Sequence, residues 1–361
     1  MKAFIILTLT TLIIHIAFAG HPYKGKAGLV TSEFIYQQKD VQFPSCHAST
    51  IVETPEGLIA AWFGGTEERA PDVCIYTSTK IDGKWGTPTM VADGIQEGKQ
   101  YPCWNPVLFR KDDGTVVLYY KVGPTPREWW GLYKTSADNG KTWSAATHIP
   151  NNLLGPIKNK PVRLPNGKIL YPTSFETAEK WNSYLETSDQ ELKNWERINL
   201  DNSTYQTIQP TILFHKNGNM QLLFRSKNKA IIESWSKNNG QTWSALTPTS
   251  LPNNNSGIDA VTLKNGDQAL IFNPITKDRN KLGIALSKDG INWEAAVLLE
   301  DDPDPKAEYS YPAIIQAKDG LIHVTYTWNR QTIKHAVINP SKLKTKPILN
   351  GEWPKSKLNK S

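Results

Sequence analysis

His47 and Tyr309 are the side chains best suited to acid–base work in this chain, and Lys and Arg residues are scattered around them. An imidazole and a phenol facing each other among cations fit a reaction at an acidic sugar. In β-elimination from a uronate, cations neutralise the carboxylate and so acidify the C5 proton. A His or Tyr then removes that proton, and a second group protonates the leaving oxygen. Expulsion of a sugar makes a lyase and expulsion of water a dehydratase; only the C4 substituent differs. The polar residues expected around the pair are Asn105, Lys160, Gln209, Asp259 and Tyr311 at strand entries. Nearby loops add Asp72, Lys121, Arg127, Trp129, Trp130, Lys158 and Arg225. Each has a plainer reading. His47 could be a core histidine, Asp72 a loop cap, Lys158 and Lys160 a solvated rim, and Trp129-Trp130 packing rather than a sugar platform.

These residues need a scaffold that gathers distant segments, and a repeat supplies one. Glu308-Tyr309-Ser310-Tyr311-Pro312-Ala313-Ile314-Ile315 leads to a turn at Gly320. Altered copies start at His47, Trp104, Asn159, Ile208 and Ile258 and reach Gly57, Gly114, Gly167, Gly218 and Gly266. The six copies lie roughly 50 to 57 residues apart, a spacing typical of propeller arrays. Their apolar runs read as buried strands and their Glu-Gly, Asp-Gly and Asn-Gly steps as hairpin turns. If each copy is the innermost strand of a blade, the polar residues that open it converge on one axis.

Second strands follow at 58–63, 115–120, 219–224 and 321–326, then a polar loop and a third strand. The third strand runs into a tight turn: Ser136-Ala137-Asp138-Asn139-Gly140-Lys141-Thr142-Trp143, Ser236 to Trp243, and Ser287 to Trp293. Degenerate forms end at Trp85 and Trp195. Asp or Asn bonds its own turn backbone, Gly supplies positive φ, and Trp plugs the space between sheets, so these residues are structural. No such turn follows 332–338. The outer strand of that last blade is expected from 29–37, which closes the ring and leaves few free edges.

The expected fold is therefore all-β, a six-bladed propeller of four-stranded blades over residues 20–340. Residues 1–19, Lys2 followed by an apolar run to Ala17-Phe18-Ala19, read as a secretory signal peptide, with a membrane anchor as the alternative. A secreted or periplasmic protein without stable membrane insertion follows. The Lys-rich segment 341–361 is expected to be a loosely held end. The formal charge of +7 is dispersed. A continuous basic stripe would suit nucleic acid, which is not expected as a partner; an acidic oligosaccharide suits a modest positive field better. Thirteen Trp and thirteen Tyr suit carbohydrate faces and packed β cores equally. Cys46, Cys74 and Cys103 lack the spacing of a zinc site, and no metal or cofactor is expected. Cys46 and Cys103 open adjacent inner strands, so a bridge between them and simple buried thiols both remain open.

The Ser-x-Asp-x-Gly-x-Thr-Trp turns resemble the Asp-box of the sialidase superfamily, and the chain from residue 20 is similar to that six-bladed fold. The resemblance implies three arginines gripping a substrate carboxylate, a Tyr–Glu nucleophilic pair and an Asp acid/base. Tyr309-Ser310 resembles the nucleophile strand, Asp72 falls where the acid/base lies, and Arg225 in Phe224-Arg225-Ser226 resembles the second arginine. His47-Ala48-Ser49 stand where the family carries its first arginine, in Arg-Ile-Pro. Arg279 or Lys281 approximates the third arginine, and Glu233 and Glu308 are candidates for the partner Glu. The architecture is also similar to that of some ulvan and rhamnosyl-glucuronate lyases. Three functions follow: a uronate lyase or dehydratase using His47 and Tyr309, a sialidase-like exo-glycosidase using Tyr309 and Asp72, and a glycan-binding propeller without catalysis.

Overall fold

The computed structural model describes residues 26–355; the expected leader at 1–19 lies outside them. Among the described residues the strands form six antiparallel sheets of four or five strands and one small hairpin. The innermost strands are Ser45–Thr54, Cys103–Arg110, Val162–Arg163, Thr207–Phe214, Asp259–Thr262 and Tyr309–Gln316, which define blades 1 to 6. The protein is a six-bladed β-propeller.

The second strands, such as Gly57–Gly65 and Val116–Val122, are apolar on both faces because both are covered by neighbouring blades. Ile59, Ala61, Phe63 and Ile75 of blade 1 meet Leu108, Leu118 and Tyr120 of blade 2 in one such inter-blade core. The thiols of Cys46, Cys74 and Cys103 are free and buried, as the simpler of the two readings expects.

Register fixes which end of each blade can carry a site. Cys103 pairs with Val122 and Val122 with Trp130, so inner-strand entries share one face with loop 123–129. Ser136, the start of the Asp-box, pairs with Val116 at the opposite end. There Asp138 accepts from Thr142 N at 2.9 Å and from Ser136 Oγ at 2.7 Å, and Gly140 N donates to Ser136 Oγ at 2.8 Å. The turn chemistry therefore pins the face away from the candidate site.

Two features differ from the four-stranded expectation. The strands Lys84–Trp85 and Thr89–Ala92 both pair with Cys74–Ile81, and blade 5 gains a fifth strand, Lys346–Pro347, from the tail. The described part of that tail is docked rather than loose. Ile348 is buried, and Trp353 packs against Gly283 and Phe272, because these two residues give an otherwise polar segment an apolar face.

The ring closes where Leu29–Phe34 pairs with Thr332–Ile338 in blade 6. Glu33 of the closing strand bonds His335 Nδ1 at 3.1 Å and pairs with Lys80 of blade 1. His335 also meets His323 nitrogen to nitrogen at 3.1 Å, and Asp319 stands 3.5 Å from the far side of His323. Burial pushes His335 down to about 4 despite its Glu33 bond. Glu33, which burial alone would raise, is drawn down to about 2 by His335 and Lys80. Both groups bind protons more readily unfolded, so stability is complete near neutrality and falls with pH from 6.5 to 4 for His335 and from 4.5 to 2 for Glu33. Urea midpoints should fall between pH 7 and pH 5 in wild type, with a slope of at most about 1.4 kcal/mol per pH unit from one group. A His335→Gln protein should show a flatter dependence over that interval; an equal slope in both would remove the histidine from the account.

Candidate active site

Four of the six inner strands carry a β-bulge at the same point of the fold. Pairing slips between His47 and Thr50, across Asn105-Pro106, between Ile208 and Thr211, and between Ser310 and Ala313. Left-handed backbone accompanies the slips at Ala48 (φ 59°), Asn105 (39°), Gln209 (55°) and Tyr311 (50°), and Lys158 at the entry of blade 3 has φ 68°. For residues with a Cβ this costs on the order of 1–2 kcal/mol each. In three of the bulges the next residue is proline, Pro106, Pro210 or Pro312, which has no N–H to leave unpaired in the broken ladder. Bulges re-aim side chains, and strain repeated at one level of the fold makes that level the candidate site.

His47 and Tyr311 meet at the axis with ring centroids 4.2 Å apart. The Tyr311 hydroxyl oxygen accepts from Arg225 Nη1 at 2.8 Å and from Gln209 Nε2 at 3.2 Å. With both lone pairs taken, the phenol proton has no acceptor among the described residues. Arg225 also donates to Gln209 Oε1 at 3.1 Å and Asn255 Oδ1 at 3.2 Å and lies 5.0 Å over the Trp181 ring, so among the described residues no carboxylate pairs with its guanidinium. Gly257 completes the wall. A Cβ there would stand 3.2 Å from Lys158 Cε, closer than most side chains tolerate, and 3.5 Å from both Gln209 Oε1 and the Tyr311 ring, in ordinary contact.

A second layer of charge surrounds this centre. Arg279 and Arg330 hold Glu308 between them at 2.9 and 3.0 Å, and Arg330 reaches Glu68 at 2.7 Å. Burial would raise the Glu308 carboxyl, but the two guanidiniums keep it below the ordinary range. Lys158 donates to Asn159 Oδ1, Ile258 O and Pro312 O, which uses all three of its protons. Burial brings it down to about 7. His47 lies within the field of Arg330, Arg279, Arg225 and Lys158. Burial first, and then those charges, hold it well below 6.5. Its Nδ1 is buried without a hydrogen-bond partner. Both effects favour the neutral imidazole, and among the described residues no group bonds that nitrogen.

Other expected site residues are placed differently. Tyr309 is turned into the core shared by blades 5 and 6, and its hydroxyl donates to Asp302 at 2.8 Å. Burial and that carboxylate raise the phenol further above its usual range. Lys160 and Asp259 pair at 2.9 Å. Asp259 also accepts from Thr211 Oγ1, Ala260 N and Ile314 N, so it pins blades to one another. Lys121 is buried on Pro156 O at 2.9 Å, and burial lowers it to about 7 despite nearby Glu186. Glu233 bonds Gln221 and Trp235, and Gln221 also bonds Gly290 in the Asp-box of blade 5, away from the axis.

The rim carries the remainder. Asp72 is exposed in loop 66–73 and accepts from Thr66 N and Oγ1 at 3.0 and 2.7 Å. Arg127 is exposed in loop 123–129. Asn105 is buried at its strand entry, and its carboxamide bonds no other described residue. Trp129 makes an edge contact with Trp104, which touches Phe63 and through it His47, while Trp130 meets Tyr101. Trp129 and Trp130 line a 370 Å³ groove with Phe175, Tyr184 and Arg197. Among the described residues no group of three or more His, Cys, Asp or Glu could hold a metal ion.

Arg330 is the residue that reading the repeats did not single out, and Tyr311 was expected only as a secondary binding residue. The signal was available: aligning the copies on Asn105-Pro106, Gln209-Pro210 and Tyr311-Pro312, instead of on the first polar residue, brings Tyr311 to the axis.

The chain matches the family model of BNR repeat-like domains over residues 56–324. A Hadza microbial sialidase superposes with a TM-score of 0.73 at 16% identity, over 87% of this chain and 70% of that one. A protein of unknown function from Dyadobacter fermentans gives 0.71 at 15% identity, over 87% and 99%. The intramolecular trans-sialidase from Ruminococcus gnavus, in complex with oseltamivir carboxylate, gives 0.65 at 15% identity, over 87% and 98%. No curated protein matches significantly. At such identities the structural likeness is one of fold, whereas the family match covers most of the chain. The chain belongs to the BNR repeat-like domain family and folds as a sialidase-like six-bladed propeller.

Proposed function

We propose that the protein is a carbohydrate-active enzyme that performs β-elimination on uronate-containing oligosaccharides. The observation that carries this reading is the buried His47 imidazole, whose Nδ1 has no partner among the described residues, against the Tyr311 phenol, whose oxygen is held by Arg225. In this reading the uronate carboxylate sits against Arg225, with Arg279 and Arg330 behind it. That placement stabilises the enolate-like charge that develops when C5 loses its proton. His47 takes the C5 proton. The carboxylate that has entered among the cations offsets the field depressing the imidazole and restores its basicity. The C5–H electrons form the C4–C5 double bond, the C4–O bond breaks, and Tyr311 gives its free proton to the leaving oxygen. Exchange with water returns both groups to their starting forms.

Hydrolysis through a tyrosine nucleophile has less support. Glu308, the carboxylate beside the nucleophile strand's Tyr309, bonds Ser310, Arg279 and Arg330 rather than a phenol. The Tyr309 phenol lies in the core, and Asp72 is tied to Thr66. Incubation with uronate-terminated oligosaccharides should yield the ultraviolet absorbance of a C4–C5 unsaturated uronate. Cleavage of sialosides or neutral glycosides with no such absorbance would sink the elimination reading.

A further inference from the structure

A wide groove of about 1370 Å³ runs down the outer flank where blades 4 and 5 meet, away from the axial centre. The docked tail forms one wall through Lys344, Lys346 and Trp353, and residues 249–252 and 274–277 form the others. Seven lysines line it against two carboxylates, Asp301 and Glu352. Lys281 is neutralised by Asp301 at 2.9 Å, and Lys26 donates to Leu299 O at 2.9 Å. The other five, Lys229, Lys277, Lys344, Lys346 and Lys355, are exposed and have no ion-pair partner among the described residues.

Five exposed ammonium groups around one concavity, screened by water and salt, still sum to a positive field that favours an anion in the groove. They are spread around a space much larger than one monosaccharide, so a single small anion cannot meet them all. A polymer with regularly spaced negative charges can. Single-stranded nucleic acid also wants aromatic faces for its bases, and a duplex wants a continuous basic stripe, which Asp301 and Glu352 interrupt here. The one aromatic ring here, Trp353, is packed against Gly283 and Phe272 instead. We propose that this groove is a second glycan-binding site that holds a carboxylated or sulfated polysaccharide chain. Loop 273–280 links it to the axial site, since Pro274 to Lys277 line the groove and Arg279 of the same loop pairs with Glu308. A chain lying in the groove is thereby led up to the face that carries His47 and Tyr311. The groove stands on its own residues and does not depend on the elimination chemistry.

Calorimetric titration of the full chain with polygalacturonate, dextran sulfate, neutral dextran and duplex DNA tests this. One variant, Lys344→Glu/Lys346→Glu/Lys355→Glu, alters the tail wall; a second, Lys229→Glu/Lys277→Glu, alters the opposite wall independently. Wild type should bind at least one of the polyanionic glycans and not neutral dextran, more weakly as salt rises. Polygalacturonate and dextran sulfate separate carboxylate from sulfate as the recognised group. Each variant should bind at least about tenfold more weakly, the loss expected from removing charge-assisted contacts. Thermal midpoints should be unchanged, because the substituted side chains are exposed. His47→Ala should bind like wild type, whether or not it turns over any substrate. Unchanged binding in both charge-reversal variants, loss of binding in His47→Ala, or tighter binding of DNA than of either polyanionic glycan would each overturn the proposal.

Discussion

Replacing His47 with alanine, or Tyr311 with phenylalanine, should lower kcat on a uronate-terminated oligosaccharide by about two to four orders of magnitude. KM should move little in either variant, since Arg225, Arg279 and Arg330 keep the contacts expected to hold the carboxylate. Arg225→Ala should behave differently, raising KM as well as lowering kcat, because it removes both the charge and the bond that orients Tyr311. Tyr309→Phe is the control. It deletes one hydrogen bond to Asp302 at the edge of a core and should leave turnover within about tenfold of wild type. The pH profile adds a sign. Burial and four surrounding cations hold His47 well below 6.5, so in the free enzyme the base is already deprotonated there. The acid limb of kcat/KM should therefore fall well below pH 6.5 rather than at the pH of an ordinary histidine. Equal losses in Tyr309→Phe and Tyr311→Phe, or wild-type turnover in His47→Ala with the fold intact, would remove this pair from the mechanism.

Asp259→Ala should be the most damaging single change to the fold outside the apolar cores. The carboxylate is almost fully buried and satisfies Lys160, Thr211 Oγ1, Ala260 N and Ile314 N, which belong to blades 3, 4, 5 and 6. Removing it leaves the Lys160 ammonium with the Ala260 carbonyl but no counter-charge, and the Ile314 amide without its acceptor, near the centre of the ring. Breaking a buried pair in this way costs about 3–5 kcal/mol. The loss should appear in the urea midpoint, and Lys160→Met should recover part of it in the double variant because the stranded charge is gone. A wild-type midpoint in Asp259→Ala would mean that these contacts do not hold the blades together.

Blade number, Asp-box turns and ring closure were legible in the chain because each is encoded locally. A turn such as Ser136 to Trp143 satisfies its own backbone within eight residues, and the apolar run of each second strand needs only covered faces to form. Closure of blade 6 by Leu29–Phe34 followed from a missing turn and a spare strand. The identity of the axial side chains was not encoded this way. In a strand, a shift of one residue turns a side chain to the other face, and the bulges at Ala48, Asn105, Gln209 and Tyr311 introduce such shifts where the site begins. Tyr309 and Tyr311 are two apart and would share a face in a regular strand. The bulge between Ser310 and Ala313 sends Tyr311 to Arg225 while Tyr309 stays with Asp302. Lys158 and Lys160 separate for a similar reason, one closing on backbone carbonyls at the axis and the other on Asp259. Arg279 and Arg330 are 51 residues apart and meet only through Glu308, because the ring brings the loops of blades 5 and 6 over one point. Local propensity and turn chemistry are enough to build blades, but the convergence of loops from different blades on one axis exists only once the ring has closed.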